Sequence, residues 1–246
     1  MQLKAIKILV KKEIKDSIMN PFLYIVCGLF SLVMGWLFFN YLLSSRDLST
    51  VNIREQVITP FFGNLNFVFL FICPLITMQS FSEESKSGTL DQLISSKLSL
   101  SDIIWGKIIS SMFVVLMLVF LTLIHLTILF NSGFNDWGIV FTAYVGIILS
   151  TLSYVFVGCF FSSLTENMFV ASLMTFTFLM GSMLLVISVN STQNVMLGMM
   201  IQYLSIPIHY EPFAKGVLRS YDLVFFMSFY LLFFLMIKKS LEARKW

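Results

Sequence analysis

The residues best able to do chemistry in this chain are few, and most of them sit in one stretch: Phe81-Ser82-Glu83-Glu84-Ser85-Lys86-Ser87-Gly88-Thr89-Leu90-Asp91-Gln92-Leu93-Ile94-Ser95-Ser96-Lys97. With Glu83, Glu84, Lys86, Asp91 and Lys97 among its serines, it is the most polar stretch of the chain. Elsewhere the catalytic inventory is thin. Gly106-Lys107 is the only Gly-Lys pair; Ile108 follows it and Ser101 holds the first-glycine position, so no G-x-x-x-x-G-K-[ST] loop exists to cradle phosphates. No G-x-S-x-G and no H-E-x-x-H occurs, and His125 and His209 lie far apart in sequence, which leaves an intramembrane hydrolase without a catalytic set. Cys27, Cys73 and Cys159 are odd in number and lack C-x-x-C spacing, so they are read as small apolar packing residues.

The elements that position these residues are long apolar runs, at about residues 22–43, 61–80, 107–130, 138–161, 168–189 and 222–237. A helix needs about 20 apolar residues to cross the hydrocarbon core, which five of the runs approach and the last falls short of. Charge is absent from the run interiors, with Lys107 and Asp222 at run ends. The sequence therefore predicts an all-α integral membrane protein of six spans in one domain, residues 1–246. His125 is the one ionisable candidate near mid-membrane, cysteines and tyrosines aside, and is read as a packed, hydrogen-bonded residue. The net charge of +3 gives no case for nucleic acid as a partner.

Lysine and arginine set the orientation. Twelve fall before the first run, between the second and third, and after the sixth; the opposite segments hold Arg46, Arg54, Lys215 and Arg219. Both termini and residues 81–106 are therefore expected to be cytoplasmic. No cleavable signal peptide is read, since the first 20 residues carry five lysines and no A-x-A-like site follows the first run.

Residues 1–20 read as an interfacial amphipathic helix. Leu3, Ile6, Val10, Ile14 and Ile18 form an apolar stripe, lysines stand ready to meet anionic headgroups, and Asn20-Pro21 forms the break before span 1. Pro74 is expected to kink span 2. Beyond it, Gly88 supplies a turn and Thr89 an N-cap with Asp91 close behind. Leu90, Leu93 and Ile94 form a short apolar face suited to docking, and Ser99-x-x-Asp102 caps the start of span 3. Residues 190–221 are expected to form an outer segment: Val195–Leu204 is too short to span, Pro207 and Pro212 bracket Ile208-His209-Tyr210-Glu211, and the segment reads as a re-entrant or interfacial helix followed by a turn leading towards span 6. Gly146/Ser150 and Gly158/Ser162 read as helix-packing pairs.

The 81–97 stretch resembles the E-E-x-x-x-G-T-L-[ED]-x-L-L signature of ABC-2 type transporter permeases. Lys11-Lys12-Glu13-Ile14 through Asn20-Pro21-Phe22, Ser162-Ser163-Leu164-Thr165-Glu166-Asn167 and Ile208-His209-Tyr210-Glu211-Pro212-Phe213-Ala214-Lys215-Gly216-Val217 match further landmarks, the last especially in the gliding-motility-type branch, as does the terminal Leu241-Glu242-Ala243-Arg244-Lys245-Trp246. Lys97 departs from the proline that relatives often carry after the signature.

The resemblance implies a permease subunit of an ABC exporter or ABC-driven machine in a bacterial inner membrane. It implies two copies of a separate ATPase that bind ATP and Mg, and a second permease of the same or a different chain. Accessory envelope proteins are further candidate partners. Glu83, Glu84, Gly88, Thr89, Leu90, Asp91, Leu93 and Ile94 would form the ATPase-coupling element. The outer landmark would rest on His209, Glu211, Phe213 and Gly216. The chain itself would hold no cofactor, metal or catalytic residue. The rival readings are an ion-coupled secondary transporter, which the lack of buried carboxylates in the spans disfavours, and a non-transporting scaffold subunit of an envelope complex.

Overall fold

A computed structural model describes residues 3–44, 54–95, 98–131, 136–191, 196 and 203–243. All elements among them are helical: α1 (Leu3–Met19), α2 (Pro21–Ser44), a π-helical turn (Arg54–Ile58), α3 (Thr59–Thr77), α4 (Gln79–Lys86), α5 (Thr89–Ile94), α6 (Leu100–Leu121), α7 (Leu123–Asn131), α8 (Trp137–Leu164), α9 (Met168–Ser191), α10 (Ile206–Ala214) and α11 (Ser220–Ala243). Six stretches are long and apolar enough to cross a membrane: Pro21–Ser44, Arg54–Lys86, Leu100–Leu129, Trp137–Leu164, Met168–Leu185 and Ser220–Ala243. The sixth is longer than the apolar run indicates, because Asp222 is buried at its start and Lys238 and Glu242 pair on its last turns.

Helix α8 is the spine. It packs against α3, α4, α6, α9, α10 and α11. Its small residues make this possible: a Cβ at Gly146 would lie 2.4 Å from Phe213 Cβ of α10, and one at Gly158 would lie 1.9 Å from Thr77 Oγ1 of α3. Both expected packing pairs are thereby realised, since Ser150 Oγ donates to Asn66 Oδ1 at 2.8 Å and Ser162 reaches the start of α4. Tyr154 also donates to Asn66, at 3.2 Å, and Thr122 pairs with Tyr144 at 2.9 Å. These polar groups of the spans are thus paired within the chain. The lipid-type surface lies elsewhere, with Tyr24, Ile25, Leu29, Leu32 and Trp36 exposed on α2 and Phe169 and Leu173 on α9.

Two local expectations change. Span 2 continues through Pro74 as helix and breaks four residues later, at Met78, whose N–H donates to Pro74 O. Helix then resumes, so Phe81–Lys86 belong to α4 and not to a loop. Span 3 is interrupted at Thr122, whose Oγ1 donates to Val119 O at 2.6 Å. Asn20 separates α1 from α2 as its sequence predicts: its Oδ1 accepts from Phe22 N at 2.9 Å, with Pro21 opening the helix. Most of the short apolar stretch 195–204 lies outside the described residues, as do Arg46, Lys97 and the last three residues.

Candidate functional site: a clamped element at one end of the bundle

At the end of the bundle that carries α4 and α5, Ser162 of α8 enters the helical ladder where α3 gives way to α4. Its Oγ accepts from Phe81 N at 3.0 Å and Ser82 N at 3.1 Å, and donates to Met78 O at 3.0 Å. Insertion of a side chain into the i→i−4 ladder is a recognised cause of a helix break. Phe81 and Ser82 are fully buried there, so α4 is fixed at its first turn to the spine.

The last turn of α4 is held by charge. Lys107, about two turns into α6, is 2% exposed. Its Nζ lies 2.8 Å from Glu84 Oε1 of α4 and 2.8 Å from Glu13 Oε1 of α1, and 5.9 Å from the centre of the Phe81 ring. A buried ammonium is tolerated only when paired, and two carboxylates plus an aromatic face meet that need. Helix α1 can come this close because residue 106 is glycine: a Cβ there would sit 2.6 Å from Leu9 Cδ2. Glu84 Oε2 is buried without a hydrogen-bond partner among the described residues. It borders a cavity of about 690 Å³ between α1, α4, α5 and α6, whose charged lining is Lys12, Glu13, Asp16, Glu83, Glu84 and Lys107.

Helix α5 follows a left-handed Gly88 at φ 69°, the conformation that glycine adopts at least cost. Gly88, not Thr89, is the residue before the first helical turn; Thr89 Oγ1 instead pairs with Ser87 Oγ at 2.8 Å. Leu90 and Ile94 are buried in the protein's own core, and Leu93 is half-buried. The apolar face expected to dock a partner is therefore turned inward, because it secures a six-residue helix to the bundle. Exposed on this element are Glu83, Lys86, Ser87, Gly88, Thr89, Asp91, Gln92 and Ser95, a polar surface. Ser99 caps α6 as its spacing predicts, its Oγ accepting from Asp102 N at 3.2 Å.

The outer landmark is brought together at the other end. Pro207 lies in the first turn of α10 and Pro212 within it, so the proline-bracketed residues are helical. The helix ends in a Schellman motif: Val217 N donates to Pro212 O, Gly216 N donates to Phe213 O, and Gly216 has φ 83°. His209 and Phe213 are buried; Glu211 is exposed and pairs with Lys215. His209 Nδ1 lies 2.6 Å from Asp222 Oδ1, its Nε2 3.1 Å from Tyr203 O, and its ring stacks on Phe225 with centroids 3.8 Å apart. Tyr210 donates to Phe62 O at 2.8 Å, and burial pushes its phenol well above the usual value of 10. These contacts tie α10 to α3 and α11.

His125 stays apart from both clusters, its ring between Phe38 and Phe61 with Nδ1 3.3 Å from Thr122 O. The sequence reading singled out Glu84, placed Ser162 as a packing residue without its bonds to α4, and gave neither Glu13 nor Lys107 this role. Lys107 carried a signal as a lysine at the edge of an apolar run; the ion pair of Glu13 and the bonds of Ser162 to α4 carried none, because their partners are far away in sequence.

None of the curated proteins matches the chain. The family described as ABC-2 family transporter protein matches residues 38–206, a stretch that covers the clamped element, four spans and the start of α10. That match covers more than half of the 246 residues, and the chain belongs to the ABC-2 transporter family as a membrane-spanning permease-type subunit.

Proposed function

We propose that this chain is the permease subunit of an ABC exporter in a bacterial inner membrane, with α4 and α5 as the element on which a separate ATPase acts. The supporting observation is the attachment of that element: Ser162 holds the first turn of α4 to α8, Lys107 holds Glu84 to α6 and α1, and Leu90 and Ile94 seat α5 on the core. A push on α5 is thereby delivered to two spans at fixed points. Two ATPase copies carry the ATP and Mg, and a second permease completes the assembly. Both termini and the α4–α5 end face the cytoplasm, consistent with the lysines around it. The apolar surfaces of the spans and the internal pairing of Asn66, Thr122 and Tyr154 support an apolar or amphipathic cargo, or force transmission. The likeness around His209–Val217 supports the gliding-motility-type branch.

The ATPase meets the polar face of α5, so Asp91→Arg with Gln92→Arg is the informative variant; both side chains are exposed. Mild-detergent capture from native membranes, with mass spectrometry, is expected to retain a P-loop ATPase with the wild type and to lose it with this variant. Retention of no ATPase by the folded wild type would refute the proposal and turn attention to a scaffold or an ion-coupled carrier.

A further inference from the structure

Helix α1 has two chemically distinct faces. Ile6 and Leu9 are buried against the bundle, and Glu13 reaches Lys107 on the same side. The opposite side carries Lys7, Lys11 and Lys15, all exposed, together with Ile8 at 71%, Met19 at 70% and Ile18 at 38% exposure. At 3.6 residues per turn these six share one face. The inner face thus departs from the predicted stripe: Leu9, off the stripe, is buried, while Ile18, on it, is exposed. The helix is turned so that Glu13 can meet Lys107, which leaves part of its apolar stripe outside among the lysines.

Large apolar side chains mixed with lysines fit a bilayer surface, where the former enter the acyl boundary and the ammonium groups reach the headgroups. Asn20 joins α1 directly to the first span, which holds the helix near that surface. Asp16, the one exposed acid of α1, lines the cavity beside Lys12. We propose that the Lys7–Lys11–Lys15 face of α1 docks on anionic phospholipid headgroups and that Lys107 transmits this docking to α4. The transmission follows from the clamp: Lys107 holds Glu13 and Glu84 at once, and a buried cation resists losing either carboxylate. A shift of α1 therefore draws on Glu84 and on the element that α4 begins. Its consequence for ATP coupling rests on the function proposed above; the lipid contact and the relay do not.

The test uses hydrogen exchange of the full chain, without ATPase, in nanodiscs of phosphatidylcholine alone and with about one third phosphatidylglycerol, at low salt. Exchange in α1 is expected to slow by about tenfold or more with phosphatidylglycerol, and exchange in α4 to slow with it. Lys7→Gln with Lys11→Gln and Lys15→Gln, all at exposed positions, should abolish both effects. Lys107→Met should keep the α1 response and lose the α4 response, and Lys107→Arg should restore it. Equal α1 exchange in the two nanodiscs overturns the docking surface. An α4 response that persists in Lys107→Met overturns the relay. Protection of α1 that appears in phosphatidylcholine only when ATPase is added would assign the lysine face to a protein partner and also overturn the proposal. Failure of the ATPase reading would leave the lipid response of α1 intact, so the two are separable.

Discussion

Glu84 of α4 meets Lys107 of α6 at 2.8 Å, in a contact that leaves the lysine 2% exposed. The same ammonium holds Glu13, so one buried charge joins the first helix, the third span and the element before the signature glycine. Removing a buried charge from between its partners costs on the order of 3 kcal/mol or more. Lys107→Met should therefore lower the thermal midpoint of the detergent-solubilised protein markedly. Glu13→Gln or Glu84→Gln should each lower it less, since both acids are partly exposed and Lys107 keeps one carboxylate. Equal midpoints for all three variants and the wild type would contradict the clamp.

Ser162 serves two amides and one carbonyl at the break between α3 and α4. Ser162→Ala leaves those buried groups with poorer partners, at a cost of about 1–3 kcal/mol. The Phe81 and Ser82 amides should then exchange with solvent about tenfold faster or more, while those of α11 are unchanged. No change at Phe81 and Ser82 would mean that the break is held by Pro74 alone.

The spans tolerate added bulk at some glycines and not at others. Gly158→Ala puts a Cβ 1.9 Å from Thr77 Oγ1 and should destabilise the fold by about 1–3 kcal/mol. At Gly63 nothing lies within 4 Å, and Gly63→Ala should be neutral or stabilising by up to about 1 kcal/mol. Thermal unfolding of the pair in one detergent checks the contrast.

At the other end, Asp222→Ala strips a buried histidine of its hydrogen-bond partner and should cost about 1–3 kcal/mol, with faster exchange throughout α10. Lys215→Ala breaks a pair whose lysine is 56% exposed and should have almost no effect. Similar losses from both would contradict the assignment of α10's anchorage to His209 and Asp222.

Hydropathy made the six spans legible, because a bilayer demands the same length and apolarity wherever the span lies in the fold. The Asn20-Pro21 break and the Ser99 cap were legible for a related reason: each is a local arrangement within a few residues. What stayed hidden depends on contacts distant in sequence. Glu13 looks like one more charge on an amphipathic helix until Lys107 is placed beside it. Leu90 and Ile94 look like a docking face until the bundle is seen to bury them. Pro74 drew attention as the kink, yet the break falls where Ser162 arrives from another helix. The residues between Pro207 and Pro212 can be helical because the first proline sits where a helix needs no amide donor.

The most direct test of the account is the affinity of the purified permease for the ATPase proposed as its partner, compared between the wild type and Asp91→Arg with Gln92→Arg. The account predicts a loss of about tenfold or more with an unchanged thermal midpoint, since both positions are exposed and like-for-like stability is expected. Unchanged affinity would contradict the polar face of α5 as the place where the ATPase acts.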